Sequence, residues 1–420
     1  MAVIDTEVVI VGGGIGGLVL ALSLHQAGID CRIYEAVAEI RAVGAGINLL
    51  PHAVRELDEL GLVPALDAVG IRTLDASYFN NFGQLIYTEP AGEAAGYPWP
   101  QFSIHRGDLQ ETLLKAVVER LGPDAVVTGH RASEIEQTDD AVTVRFEDAN
   151  GDSMREVTAK VVVGADGIHS AIRKQFYPDE GDPIYSGITI WRGVTPFKPF
   201  LSGADTIRAG WMTVGKLMVY PIRNNIDDQG NQLMNWVASL ERPKPDVMDW
   251  NRVAKTEDFI EPYLDWKFDW LDVPTLLQQT QRPLMFPMVD RDPVATWTFG
   301  RVTLMGDAAH PMYPRGSNGA GQAILDARYL TGCFKRLGVT TQALADYDTA
   351  RVAATSKVVL TNRVNPPDAI LREVHERSGG KPFRHINDII SNDELTEISQ
   401  SYKRIAGFEI EQLKTRAAYV

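Results

Sequence analysis

Cysteine is nearly missing from this chain: Cys31 and Cys333 are the only two among 420 residues. They lie far apart and form no CxxC, so neither a disulfide framework nor a zinc-type ligand set is expected. That scarcity suits a reducing compartment, and a cytoplasmic location is expected. Basic residues are outnumbered, with 41 Lys and Arg against 55 Asp and Glu and a net charge of −14. Nucleic-acid binding calls for a basic stripe instead, so no nucleic-acid partner is expected. No stretch reaches the roughly 18 apolar residues of a membrane span. The chain enters an apolar strand within a few residues of its start, without the basic segment and cleavage site of a secretory leader. Also missing are G-x-S-x-G, HExxH and any paired-carboxylate motif, and the eight histidines show no nucleophile–base spacing. These gaps leave the difficult chemistry to a cofactor and predict no metal site.

What is present has the texture of a folded α/β protein. Hydrophobic residues make up 45% and charged residues 23%, close to the average for globular chains. The length suits two interleaved lobes. Residues 7–35 read as strand (EVVIV), glycine turn, helix and strand (CRIYE), with the helix running over 15–27 and stopped by Gly28. Helical periodicity returns at 53–60 and 109–121. Strand alternation follows at 125–128, 133–137, 142–146 and 157–163. From 184 to 288 the texture changes to apolar strands such as ITIWRGV, KLMVYPI and NWVASL between polar loops, which predicts a largely antiparallel sheet. A strand–loop segment, GRVTLMGDAAH, and a long helix from about Asn318 then resume the first pattern. The part after 366 is polar and helical.

The run Gly12-Gly13-Gly14-Ile15-Gly16-Gly17 contains G-x-G-x-x-G. Gly12 permits the tight turn, Gly14 allows backbone to approach a pyrophosphate, and Gly17 allows helix to pack on strand. The helix start at Ile15 offers unpaired N–H groups to phosphate. Glu35 ends the next strand eighteen positions after Gly17, where a carboxylate can accept from a ribose diol. One dinucleotide is therefore held. With no second such fingerprint, any other enters transiently.

Two more segments narrow the reading: VVVGADGIHSAIRK, with Asp166-Gly167, and GRVTLMGDAAHPMYPRGSNGAGQAILDA, with Gly306-Asp307. With the glycine run, in this order, they resemble the single-component (class A) flavoprotein monooxygenases of the para-hydroxybenzoate hydroxylase fold. The likeness spans nearly the whole chain. IHRGDLQ, MVDRDP and the GDAAH segment are most similar to the phenazine-hydroxylating members. The resemblance implies an α/β fold: a Rossmann-like, GR2-type FAD-binding domain with an inserted, largely antiparallel substrate sheet and a C-terminal helical segment. Boundaries are expected at 1–183 and 290–365 for the two parts of the FAD domain, 184–289 for the sheet, and 366–420 for the helical segment. Non-covalent FAD, with NADH or NADPH and O2 as transient reactants, would then hydroxylate an electron-rich aromatic through a flavin C4a-hydroperoxide, with loss of CO2 where the attacked carbon bears a carboxylate.

Cofactor contacts are expected from Gly12, Gly14, Ile15, Gly17, Glu35, Arg41, Gly46, Arg106, Asp166, Asp307, Asn318, Gly319 and Ala320. In this resemblance Asp307 binds the ribityl chain, and the N–H groups at 318–320 face a flavin carbonyl. Gly44 and Gly46 would let backbone pass the flavin ring. The middle sheet would supply an apolar pocket from Met218, Tyr220, Trp236 and Pro314, with Tyr220 as a catalytic hydrogen-bonder and Pro314 as a wall beside the flavin. His310 is read as structural. Arg315 departs from the apolar residue of the phenazine enzymes, and either anchors an anion or stands in solvent. The partner is a small aromatic, a homodimer is compatible, and no membrane association is expected. Alternatives on the same fold are a flavin oxidase or reductase, a halogenase, or a non-enzymatic carrier.

Overall fold

The computed structural model describes residues 4–41, 44–245 and 252–420. The strand Thr6–Val11 lies at the centre of the first sheet. It pairs in parallel with Cys31–Tyr34 on one side and Val157–Gly164 on the other. Val126–Val127 and Val302–Leu304 extend these pairs, also in parallel. Such strands are covered on both faces, so their apolar runs are continuous rather than alternating: Val8, Val9, Ile10, Val161, Val162 and Val163 are all fully buried. The helix Ile15–Gln26 crosses from the first strand to the second and is buried from Gly17 to Leu24. Gly28, at φ +72°, turns the chain out of it.

The second sheet is larger than the sequence suggests. Its spatial order is Arg252–Val253, Leu284–Asp290, Ile184–Phe197, Gln232–Glu241, Gly215–Arg223, Asp205–Trp211, Asp75–Phe79, Leu85–Pro90. All neighbours are antiparallel except Asp205–Trp211 with Asp75–Phe79, which are parallel. The hairpin 75–90 thus belongs to this sheet, although the expected boundaries assign it to the first lobe. Its edge is built from chain that precedes the inserted segment.

The two faces of this sheet have different uses. Leu217, Val219, Trp191 and Trp236 point outward into a core with Phe259, Tyr263, Leu276 and Leu277. Arg192, Thr206, Arg208, Met218, Tyr220, Ile222 and Asn235 alternate with them and face the first lobe. The lobes meet there: Gly46 N donates to Asn235 Oδ1 at 2.7 Å, and Arg192 Nη2 donates to Gly46 O at 2.6 Å. Two long helices, Gly319–Leu337 and Thr341–Val364, return the chain to the first lobe. Beyond them Ala369–Ser378, Asn392–Ala406 and Ile410–Thr415 pack across both lobes. The end of the chain is latched: Arg55 Nη2 donates to Arg416 O at 2.7 Å, and Arg416 Nη2 pairs with Glu56 at 2.6 Å. No helix among the described residues is long and apolar enough to cross a membrane.

Candidate cofactor and substrate site

The glycine turn is held by its own neighbours. A Cβ on Gly12 would strike the Ala165 carbonyl, and one on Gly17 would strike the Gly12 carbonyl, so both must be glycine for the fold to close. Gly14 differs: a Cβ there would meet nothing within 4 Å. It sits at the N-terminus of the helix Ile15–Gln26 with extended backbone and no side-chain cap. Protein packing gives no reason for a glycine at 14, whereas close approach of a phosphate does. Glu35 accepts from Gly13 N at 2.7 Å and Val37 N at 2.9 Å. One bond on each oxygen leaves the carboxylate capacity for a sugar diol.

Asp166 accepts from Ala171 N at 2.9 Å, yet its Oδ1 is buried without a partner. Burial pushes its carboxyl above the usual range, against the pull of Ser170 and nearby backbone N–H groups. Asp307 is exposed on the turn Gly306–Ala308, and its side chain has no hydrogen bond or ion pair among the described residues. It faces Gly319, the first residue of the next helix. That helix start is buttressed from behind. Asn318 is buried and its Oδ1 lies 2.9 Å from His52 Nε2, while its Nδ2 has no partner. Burial, with Arg416 nearby, pushes the His52 imidazole down to about 3, so the ring is neutral. Gly319 and Ala320 open the helix, where N–H groups have no intrahelical acceptor.

His310 holds this turn together with Asp326 and Arg351, two residues that the motifs did not single out. His310 Nε2 lies 2.5 Å from Asp326 Oδ2, and Arg351 Nε donates to Asp326 Oδ1 at 2.7 Å. Gly306 N also donates to Asp326, at 3.1 Å. Burial alone would raise the Asp326 carboxyl, but His310 and Arg351 outweigh it and hold it at about 2. His310 is therefore structural, as expected. Asp326 lies within the quoted GDAAH segment and Arg351 beyond it, and the role of both emerges only from the fold.

Arg41 stands in solvent, paired with Glu39 at 2.6 Å. At Gly46 a Cβ would lie 2.7 Å from Ile222 and 2.8 Å from Asn235, so the second lobe requires a glycine there. Arg106 is exposed at the start of the helix Arg106–Leu121, beside Gly44, and makes no side-chain hydrogen bond among the described residues. Trp236 lies on the outer face of the sheet, its Nε1 donating to Thr280 at 2.8 Å and Thr195 at 3.1 Å, so it is core and not pocket. Arg315 is neither free nor in solvent: it pairs with buried Asp368 at 3.2 Å, and Lys216 pairs with the same carboxylate.

A cleft open to solvent lies between the second sheet, the loop before the helix Gly319–Leu337, and the C-terminal helices. Gly316 and Ser317 line it on the cofactor side, Arg208 and Tyr78 on the sheet side, and Tyr402 and Phe408 on the C-terminal side. Met218, Tyr220 and Pro314 do not line it. Pro314 is exposed, while Met218 and Tyr220 share the face of Arg208. Burial pushes the Tyr220 phenol up, against the pull of Arg192 and Arg208.

Arg208 is the unusual group. It is 7% exposed and its guanidinium has no hydrogen bond or ion pair among the described residues, while Nε is buried and orphaned. Its one close neighbour of note is the Tyr78 ring, 5.5 Å away. Lys216 and Arg315 crowd the same region and pair with Asp368, a carboxylate that also feels the Arg208 charge.

Residues 5–360 match the FAD binding domain family, and the chain belongs to it. The class defined by fold and site is the FAD-dependent aromatic monooxygenases, which use NAD(P)H and O2. A phenazine 1,6-dicarboxylic acid hydroxylase of Lysobacter antibioticus is 43% identical over 364 residues, covering 86% of this chain and 89% of that one. A 3-amino-4-hydroxybenzoate 2-monooxygenase of Streptomyces platensis is 33% identical over 378 residues, covering 89% and 86%. Among solved structures, a salicylate hydroxylase substrate complex superposes with a TM-score of 0.73 at 23% identity, over 97% of both chains. HpxO of Klebsiella pneumoniae, complexed with FAD and uric acid, superposes at 0.74 with 22% identity, again over 97% of both.

The residues present fit FAD: open space above Gly14, the orphaned Asp166 Oδ1 and the unpaired Asp307 all await a polar ligand. Asp307→Ala should therefore fold normally but release FAD, with affinity reduced about 10- to 100-fold for loss of a hydrogen bond to a charged group. The flavin absorbance retained after gel filtration checks this. Full retention would remove Asp307 from the site.

Proposed function

We propose that this monooxygenase hydroxylates an anionic ring, an aromatic or heteroaromatic carboxylate, held in the cleft by Arg208. The observation that carries the reading is a guanidinium that lines the cleft, mostly buried, with no hydrogen bond or ion pair among the described residues. Asp368, the carboxylate near it, is already paired with Lys216 and Arg315. A mostly buried cation without a partner of its own gains by pairing with a carboxylate that enters. The names of the relatives point the same way, since phenazine dicarboxylic acid and aminohydroxybenzoate are both ring acids.

In this reading FAD, when bound, takes electrons from NAD(P)H and activates O2 for transfer of one oxygen to the ring. The chain does the rest. Glu35 and Gly14 would place the dinucleotide, and Asp307 would hold its ribityl chain. The helix start at Asn318, Gly319 and Ala320 would stabilise negative charge on the flavin through N–H groups and the helix dipole. Arg208 orients the ring by its carboxylate, and Tyr78 flanks it. Leu50, Tyr97, Tyr402 and Phe408 enclose the remaining sides and exclude water.

A panel of aromatic acids, phenols and neutral rings tests the reading. Acids should accelerate NAD(P)H oxidation and convert most reducing equivalents into hydroxylated product. Without a ring, oxidation should be slow and should yield H2O2. Measuring nicotinamide, peroxide and product together decides it. Rapid flavin reduction with no oxygenated product across the panel would overturn the hydroxylase reading. Equal use of neutral and acidic rings would overturn the role of Arg208.

A further inference from the structure

The floor of the cleft is formed by three neighbouring strands, Asp205–Trp211, Asp75–Phe79 and Leu85–Pro90. Their register sets Arg208 beside Tyr78 and Tyr78 beside Tyr87. One step away it sets Thr206 beside Ala76 and Ala76 beside Glu89. Directly paired residues project from the same face of a sheet, so Arg208, Tyr78 and Glu89 rise on one side. Two strand spacings, about 10 Å, separate the strand of Arg208 from that of Glu89. A fused ring system can lie across that span with its carboxylate on Arg208 and its far edge at Glu89.

The far edge meets a different kind of site. Glu89 is saturated: Ser399 Oγ lies 2.8 Å from each of its oxygens, and Lys403 Nζ donates to Oε2 at 2.9 Å. Both members of the ion pair are mostly hidden, and Glu89, Ser399 and Lys403 all line the cleft. Ser399, Tyr402 and Lys403 stand at i, i+3 and i+4 on the helix Asn392–Ala406, so one face of that helix supplies the wall. This helix follows the last family-matched residue, 360. The cleft thus has one end with a cation that makes no ion pair among the described residues and another where cation and anion are already paired.

We propose, building on the anionic-ring reading, that the Glu89–Lys403–Ser399 cluster is a specificity determinant that counts charge on the substrate. It accepts a neutral edge and rejects a second carboxylate. A second carboxylate would compete with Glu89 for Lys403 and lie against Glu89 itself, two like charges at close range. The wild-type protein therefore selects monocarboxylates. The Lysobacter relative is named for a dicarboxylic acid, so the two proteins should differ in substrate charge.

The two members of the pair predict opposite changes. Glu89→Gln keeps shape and the contact to Ser399 but releases the Lys403 charge, so the dicarboxylate gains. Lys403→Met leaves Glu89 without its cation, so every acid loses and the dicarboxylate loses most. The experiment titrates FAD-loaded protein with phenazine-1-carboxylate and phenazine-1,6-dicarboxylate, and follows the perturbation of flavin absorption to obtain Kd without turnover. Wild type should bind the monocarboxylate at least tenfold more tightly. Glu89→Gln should shrink that ratio at least tenfold, and Lys403→Met should widen it. FAD content and Tm report whether each variant folds. If Lys403→Met does not, the ratio for Glu89→Gln decides alone, and Glu89→Ala, which also frees Lys403, must move it the same way. Ratios within twofold of wild type, or a wild type that prefers the dicarboxylate, would overturn the inference. If instead wild type binds neither acid, the anionic-ring reading has failed and not merely this extension of it.

Discussion

Gly14→Val is expected to give a folded, colourless protein. The expectation rests on a contrast within one turn. At Gly12 and Gly17 a side chain would collide with backbone carbonyls of the protein itself, so substitution there disrupts the fold. At Gly14 a Cβ meets nothing within 4 Å, and the backbone is extended at φ −73°, ψ −178°, where valine is at ease. Valine caps a helix less well than glycine, at a cost of about 1 kcal/mol, which a stable domain tolerates. What valine cannot share is the space over the helix start, where the pyrophosphate approaches. FAD affinity should fall at least about 100-fold, equivalent to roughly 2.7 kcal/mol. Far-ultraviolet circular dichroism should match wild-type apoprotein. Tm should equal that of apoprotein, because the stabilisation from bound cofactor is lost. A yellow Gly14→Val protein with wild-type FAD content would place the dinucleotide elsewhere.

What the sequence made legible follows from how local each constraint is. The glycine turn, Glu35, Asp166 and Asp307 would act through a few consecutive residues, so their pattern survives in one dimension. The first sheet was equally readable, because its strands are apolar throughout and the turn glycines punctuate them. Alternation in KLMVYPI and NWVASL correctly divides Tyr220 and Asn235 from their neighbours, but it does not say which face looks inward. That is why Trp236 was expected in the pocket and lies instead in the outer core. The reason for glycine at 46 is hidden for a related cause. That glycine is demanded by Ile222 and Asn235, far along the chain, and the local stretch shows only an absence of side chain. The hairpin 75–90 joins its sheet through a parallel contact with Asp205–Trp211, and no local signal predicts so distant a partner. Glu89 and Lys403 stand 314 positions apart. Arg208, in the segment TIRAGW, has no motif around it at all. Its significance comes from what does not surround it in three dimensions.

Arg208→Met should raise stability and lower function at once. In the free protein the guanidinium is mostly buried with no hydrogen bond or ion pair among the described residues, and Asp368 nearby is already paired with Lys216 and Arg315. An isosteric apolar side chain removes that desolvation cost and should stabilise by about 1 kcal/mol or more. For a chain of this size the gain corresponds to a rise in Tm of roughly 1–2 °C. Methionine is flexible enough to fill the same space beside Tyr78. The carboxylate of a ring acid then loses its charged partner, a hydrogen bond worth about 1.5–3 kcal/mol. KM for aromatic acids should rise about 10- to 100-fold, while neutral rings of the same shape should bind as well as before or better. Bound acid would also complete the dry cavity, so the fraction of NAD(P)H electrons that reduce O2 to H2O2 should grow with acidic substrates. FAD content should stay near wild type, which separates this variant from those of the glycine turn. The opposite signs are the point of the measurement. A merely structural arginine would lower Tm on removal and leave acids and neutral rings equally affected. If Tm falls and the ratio of acid to neutral binding is unchanged, Arg208 is a packing residue and the cleft selects its ring by shape alone.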